Sequence, residues 1–407
     1  MLGRRSRRVD GPDAKPLEVV IAGGGVGALE CALGLHRLAR ERVKLTLVAP
    51  GTQFSYQPMA VLEPFVRRSP RELPLARFAA EVNATLEQDT VVSVDCERSV
   101  VRTGSQRELP YDALVIAVGA RTADALPSAV TVNIPGVYDS LRDLIEEIER
   151  GSLGTIAFVA PKPTWPLPVY ELALLVREHA RQRELDLALT IITAERKPLA
   201  VFGDAVSAEL AASLADAGIQ TVLGAEVESL SGSLIVHPGG QRLSFDRVVA
   251  LPRLQGPAIG GLPADPDGFL PVGANGQLIG VERVYVAGDA TDFPVKYGGI
   301  AAQQADAAAA AIAAVAGAPV EPAPFDGVVH GFLLRGRELP RLHFSARIEA
   351  GVAHDSQASE EPTTSPEAKI AAQYLGPYLD ELWASGARWL SGPWAGGADV
   401  PTGGGRP

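Results

Sequence analysis

A chain of 407 residues is too long for one ordinary hydrophobic core, so two or three domains are expected. Apolar residues make up 46%, which excludes a mainly disordered chain, and a net charge of −11 excludes a large basic surface for nucleic acid. Two cysteines, Cys31 and Cys96, are too few and too far apart for a disulfide framework or a cysteine metal site, and the histidines show no metal-ligand spacing.

Residues 1–15 read as a solvated tail: Arg4, Arg5, Arg7 and Arg8 have no apolar stretch behind them, as a signal peptide requires. No run of about 18 apolar residues follows anywhere. A cytoplasmic protein is expected, with contact at a membrane surface as the less favoured alternative.

Leu17–Ala22 is a β-branched run that predicts a buried strand. A helix is predicted over 27–40, where Leu29, Ala32, Leu33 and Leu35 can share a face, and 43–48 is the next strand. This β–turn–α–β unit implies a parallel sheet. Its turn, "IAGGGVGALE", has the spacing of a dinucleotide-binding loop. Gly23 supplies the tight turn, Gly25 lets backbone amides approach a pyrophosphate, and Ala28 allows helix to pack on strand. Gly23, Gly25, Val26, Gly27 and Ala28 are therefore candidate contacts, with the anion on the helix N-terminus. The acid that should bind the ribose is missing, because Ala49 ends the second strand. A freely exchanging NAD would lose specificity there, so a resident dinucleotide is favoured.

Further strands are predicted at 90–103 and at "ALVIAVGA" (113–120). A second βαβ unit begins with "TIAFVA", continues as a helix over 169–183 and returns as "LALTIIT". The stretch 201–224 adds an amphipathic helix and a strand, with Gly218 as the left-handed helix end. "VYVAGDAT" (284–291) is a strand ending in Gly288-Asp289, just before an alanine-rich helix from Gly298. Residues 327–354 alternate like a hairpin with its turn near Gly336–Pro340, 354–366 read as mobile, and 396–407 as a tail.

"IAGGGVGA", "VIAVGA" and "VYVAGDAT", in that order over roughly 16–320, resemble the FAD-dependent pyridine nucleotide–disulfide oxidoreductase superfamily. "FPVKYGGIAAQQAD" is similar to a segment of its sulfide:quinone oxidoreductase and type II NADH dehydrogenase branch. The resemblance implies an α/β fold with two Rossmann-like three-layer dinucleotide-binding domains, the FAD domain discontinuous, and a small α+β C-terminal cap. The expected boundaries are 16–125 and 262–320 for FAD, 126–261 for an NAD(P)-binding-like donor domain, and 321–395 for the cap.

It also implies roles for individual residues. Asp289, with Gly288, would meet the ribityl–phosphate part of FAD, Gly119 would line the flavin domain, and the Val91 backbone would contact adenine. Lys296 and the amides of Gly299 and Ile300 would stabilise negative charge at the flavin's pyrimidine edge, where a loop lysine is the plainer reading. Tyr56 and Pro58 would face the flavin, a packed aromatic being the alternative for Tyr56. Lys296 and Glu171 are the catalytic candidates. Glu171 would lie near nicotinamide, or simply be an acid in a first helical turn. Glu195 could bind a ribose.

The departures are as informative. Cys31 lies inside the first helix and Cys96 in the adenine region, so paired-cysteine chemistry is not expected. No glycine occurs between Gly154 and Gly203, and "PKPTWPLP" cannot wrap a pyrophosphate as the first loop does. The expected function is transfer of electrons from NAD(P)H or another small reductant through FAD to a quinone-like or other small acceptor. An FAD enzyme with a non-nicotinamide donor and a non-enzymatic flavin-binding scaffold are the alternatives. NAD(P)H would be a diffusible co-substrate, and a second copy is a candidate partner. The amphipathic stretch 369–394, with Tyr374, Tyr378, Trp383, Trp389 and Leu390, would pack on its own domain or meet a membrane or quinone tail.

Overall fold

The computed structural model describes residues 15–65, 72–127, 129–132, 137–162, 164–230, 233–336, 341–349, 351–360 and 370–384. The basic stretch at Arg4–Arg8, Trp389, Leu390, the hairpin turn at 337–340 and the tail at 396–407 lie outside them.

The first βαβ unit forms where its spacing predicts. Leu17–Ala22 is a strand, Val26–Leu38 a helix and Val43–Val48 the returning parallel strand. These belong to a five-stranded parallel sheet ordered Val284–Val286, Ala113–Ile116, Leu17–Ala22, Val43–Val48, Ala84–Glu87. The chain leaves Leu17–Ala22 towards one edge and supplies Ala113–Ile116 on the other side. That reversal opens a crevice at the carboxyl ends of the strands. The two helices on one face, Val26–Leu38 and the alanine-rich Gly298–Val315, approach closely because small side chains separate them: a Cβ on Gly34 would lie 3.0 Å from the Ala309 methyl.

The second parallel sheet is ordered Val130–Thr131, Arg247–Ala250, Thr155–Ala160, Ala188–Thr193, Gln220–Val222. Its strands are apolar on both faces, as sheets covered on both sides are. Leu167–Gln182 covers it, with Pro168 in the first turn where a missing N–H costs nothing. Gly218 ends the helix Asp204–Asp216 at φ +66°, the left-handed conformation expected.

Val328–Leu333, Leu342–Glu349 and Val352–Ser359 form one three-stranded antiparallel sheet rather than a single hairpin. This corrects the expectation of a mobile segment over 354–360, while 361–366 lie outside the described residues. Backbone pairing to 343–349 satisfies its amides, Ser356 Oγ donates to the Phe202 carbonyl, and Ala353 and Ala358 pack on the second core. The polar residues that suggested disorder include exposed ones, such as His354 and Asp355.

Candidate functional site

Three motifs distant in sequence leave one sheet edge at one level. Ala22 pairs with Ile116, and Ile116 with Val286. The glycine turn, Ala117–Gly119 and Ala287–Asp289 therefore emerge side by side. Close approach is built in: a Cβ on Gly23 would stand 2.1 Å from the Ala117 carbonyl oxygen, and Gly23 sits at φ +130°. A Cβ on Gly27 would touch the Ala287 methyl at 3.4 Å and the Ala301 carbonyl at 3.5 Å.

Gly25 is different. It is exposed, its backbone is extended, and a Cβ there would meet nothing within 4 Å. No side chain caps the helix that starts at Val26, and its first internal bond is donated by Leu29 to Gly25. The amides before Leu29 have no partner within the helix, and Gly25 borders open space, the arrangement that receives a phosphate-like anion. Gly119, at φ +75°, likewise borders open space. Ala28 is buried against the sheet, and Ala49 is buried with its N–H bonded to the Glu87 carbonyl at 3.0 Å. Glu87, on the next strand end, pairs with Arg107.

The Gly288–Ala290 turn is held from below. Gly288, at φ +80°, donates to Gln304 Oε1 at 2.8 Å, and Gln304 Nε2 reaches Thr291 Oγ1 at 3.4 Å. Gln304 is fully buried, one of the polar side chains that interrupt the alanine-rich helix. Burial raises the Asp289 carboxyl above the usual range, while Lys296 opposes the shift. Lys296 turns back towards this turn: its ammonium donates to the Thr291 carbonyl and sits 3.9 Å from the Phe269 ring centroid. Burial pushes the Lys296 amine down to about 8, although Asp289, Asp292 and Asp265 favour its charged form.

The remaining candidates divide. Gly299 lies in the first turn of Gly298–Val315 beside the Tyr297 ring. The Ile300 amide is already bonded to the Tyr297 carbonyl at 3.0 Å, so it is not the free donor expected. Tyr56 is buried, edge-on to Trp383 with ring centroids 5.6 Å apart, which is the packed-aromatic alternative. Pro58 lies in the 3-10 helix Gln57–Phe65. Val91 belongs to the antiparallel sheet of Val91–Asp95, Val100–Thr103 and Glu108–Pro110, not to the parallel sheet's carboxyl edge.

Glu171 is corrected. It is 1% exposed, beyond the first turn, and its carboxylate accepts the Leu334 N–H at 3.0 Å. It anchors the chain leaving strand Val328–Leu333 and does not line an open site. Glu195 is likewise committed, accepting the Tyr170 hydroxyl at 2.7 Å. The depression at the carboxyl ends of the second sheet has about 130 Å³, between Lys162, Thr164, Trp165, Pro166, Thr193 and Glu195. A groove of about 740 Å³ lies elsewhere, between the outer face of Val26–Leu38 and the helix Leu375–Ala384.

Burial raises both thiols above their ordinary value, and Cys31 also feels Asp306 and Glu30. A thiol raised in this way has less thiolate at neutral pH than a free cysteine. Among the described residues no cluster could hold a metal ion, and no helix is long and apolar enough to cross a membrane.

Comparison with known proteins agrees with this geometry. The family described as pyridine nucleotide-disulphide oxidoreductase matches residues 17–153 and 170–314. The sulfide-quinone reductase of Aquifex aeolicus (strain VF5) is 25% identical over 188 residues, 44% of this chain and 43% of that protein. The chain thus matches less than half the length of that curated relative. Among solved structures, the sulfide:quinone oxidoreductase of Aquifex aeolicus superposes with a TM-score of 0.76 at 20% identity, over 84% of this chain and 87% of that one. A ferredoxin reductase from Rhodopseudomonas palustris gives 0.62 at 19% identity, over 81% and 82%. A NAD-dependent persulfide reductase from A. fulgidus gives 0.60 at 19%, over 82% and 64%. These likenesses establish the fold.

Proposed function

Because the chain belongs to the pyridine nucleotide-disulphide oxidoreductase family, whose members are FAD-dependent enzymes, we propose that it passes electrons from a reductant smaller than a dinucleotide, through FAD, to a quinone-like or other small acceptor. The cradle at Gly25 fits the diphosphate of FAD, with 16–125 and 262–320 as the two parts of its binding unit. When bound, FAD supplies two-electron chemistry, and the protein supplies binding, orientation and charge. The amides at the start of Val26–Leu38 hold the diphosphate, and Gly23 and Gly27 keep three strand ends close enough to enclose it. Asp289, held by the Gln304-supported turn, would meet the linker between diphosphate and ring. Lys296, bonded to the Thr291 carbonyl, and the start of Gly298–Val315 would supply positive charge to the bound cofactor.

The observation that carries the donor reading is the second sheet. Small-molecule pockets are usually about 300–1,000 Å³. The depression behind Trp165 and Pro166 is about 130 Å³, small beside such pockets, its loop lacks the glycines of the first turn, and Glu195 is engaged by Tyr170. NAD(P)H is the second reading, favoured by the position of Glu195 just after the strand Ala188–Thr193. Anaerobic titration of the yellow protein separates the two. NADH and NADPH are each expected to leave the flavin band intact over minutes, while dithionite removes it. Rapid bleaching by either nucleotide overturns the donor reading, and a colourless protein that releases no FAD on denaturation overturns the whole.

Lys296→Met is expected to lower the flavin's midpoint potential by roughly 30–60 mV, a ten- to hundredfold change for a two-electron couple. Lys296 loses its charge as the pH rises through about 8, so the gap between wild type and variant should close above that pH. Spectroelectrochemistry at pH 6.5 and 9.5 measures it; a gap that widens with pH contradicts the assignment.

A further inference from the structure

The C-terminal segment is fastened to the first helix by an unusual pair of acids. Glu30, on Val26–Leu38, is fully buried, and its two oxygens accept the backbone N–H groups of Tyr374 and Leu375 at 2.8 and 2.5 Å. Those amides open the helix Leu375–Ala384, so the carboxylate caps it from another part of the chain. Asp306, on the packed helix Gly298–Val315, is the second buried acid beside Glu30, and its Oδ1 is buried without a partner. Two acids in that position must share a proton, and the two N–H groups aimed at Glu30 leave the proton on Asp306.

The fastened segment lies against the start of the helix that follows Lys296. The Ile370 side chain lies 2.7 Å from where a Cβ on Gly298 would be, and the Ala371 carbonyl oxygen lies 3.8 Å from where a Cβ on Gly299 would be. Trp383 stands on Tyr56. Leu375 and Leu379 are buried in the first core. We propose that residues 370–384 form a strap over Tyr56 and the start of the alanine-rich helix, latched by the Glu30 carboxylate on the Tyr374 and Leu375 N–H groups with a protonated Asp306 buried behind it, and that rising pH opens the latch. The position of the strap beside a flavin rests on the function proposed above; the latch does not.

The groups facing the pair are few. Cys31 of the first helix stays protonated, and the Tyr374 phenol is raised by burial, Asp306 and Glu30, with Arg37 opposing. No lysine or arginine forms a salt bridge with either acid among the described residues. At the far turn the Tyr378 hydroxyl donates to Glu81 at 2.5 Å, Glu81 pairs with Arg77, and the phenol is held above its ordinary value. Asp306 is therefore the group that titrates first. Burial and Glu30 raise its carboxyl from 3.8 to about 9. A carboxyl with a raised value favours the closed state fully below its ordinary value, and that preference is lost as the pH rises through the raised one.

Hydrogen exchange of the full-length protein, read by mass spectrometry at 374–384 and corrected for the intrinsic rate, tests this from pH 6 to 10. Wild-type protection should fall by up to tenfold per unit as far as about pH 9 and then level off. Asp306→Asn, neutral at every pH, should give a flat profile. Glu30→Gln should be poorly protected throughout. Parallel profiles for wild type and Asp306→Asn overturn the latch, as does equal loss of protection in strand Leu17–Ala22, which would mean global opening. If Glu30→Gln does not fold, wild type against Asp306→Asn decides alone. A protein without flavin that shows the pH-dependent strap sinks the flavin reading and leaves the latch standing.

Discussion

Gly25→Asp should leave the free protein as stable as wild type, or slightly more so, while lowering FAD affinity at least a hundredfold. The position tolerates a side chain: its backbone is extended and a Cβ would meet nothing within 4 Å. Aspartate is also a better helix N-cap than glycine, and its charge favours the helix dipole by about 0.3–1 kcal/mol. Yet the same carboxylate would occupy the open space meant for a diphosphate and repel it. A hundredfold loss corresponds to about 2.7 kcal/mol. Thermal melting of the flavin-free protein measures one half, and FAD titration followed by fluorescence the other. A variant that stays yellow with wild-type affinity removes the first helix from the cofactor site.

Gly23→Ala should do the reverse and damage the fold itself. The new methyl would lie 2.1 Å from the Ala117 oxygen and 2.6 Å from its carbon, both backbone atoms. The φ of +130° adds strain for any residue with a side chain. Overpacking costs about 1–3 kcal/mol and the strained backbone about 1–3 more. A loss of roughly 2–6 kcal/mol in urea unfolding is expected, with FAD binding lost in consequence. Stability within 0.5 kcal/mol of wild type would mean that the close approach of the two strands is not real. Glycines two residues apart thus serve different ends: Gly23 allows the strands to meet, and Gly25 leaves room for what they enclose.

Much of this was legible because its causes are local. The run Leu17–Ala22, the turn after it and the apolar spacing of Val26–Leu38 are fixed by neighbours in the chain. Gly218 and Pro168 act through backbone dihedrals that no distant contact must supply. The strand Val352–Ser359 was hidden because pairing partners, not composition, make it a strand. Glu171 and Glu195 looked available because a carboxylate in a sequence has no visible partner. The structure gives each one: Leu334, 163 residues away, and Tyr170, 25 residues away.

The sequence by itself determined the glycine turn between strand and helix, the family resemblance that turn carries, and the departure of the second loop from the first. It could do so because these rest on glycine and proline, whose properties travel with the residue. Only the tertiary structure decided that Gly25 faces open space, that Lys296 turns back to the Gly288–Thr291 turn, and that Glu30 and Asp306 meet under Leu375. Those outcomes depend on burial and on partners brought together across the chain, and the energy of a charged group is set by such surroundings far more than by its neighbours in sequence.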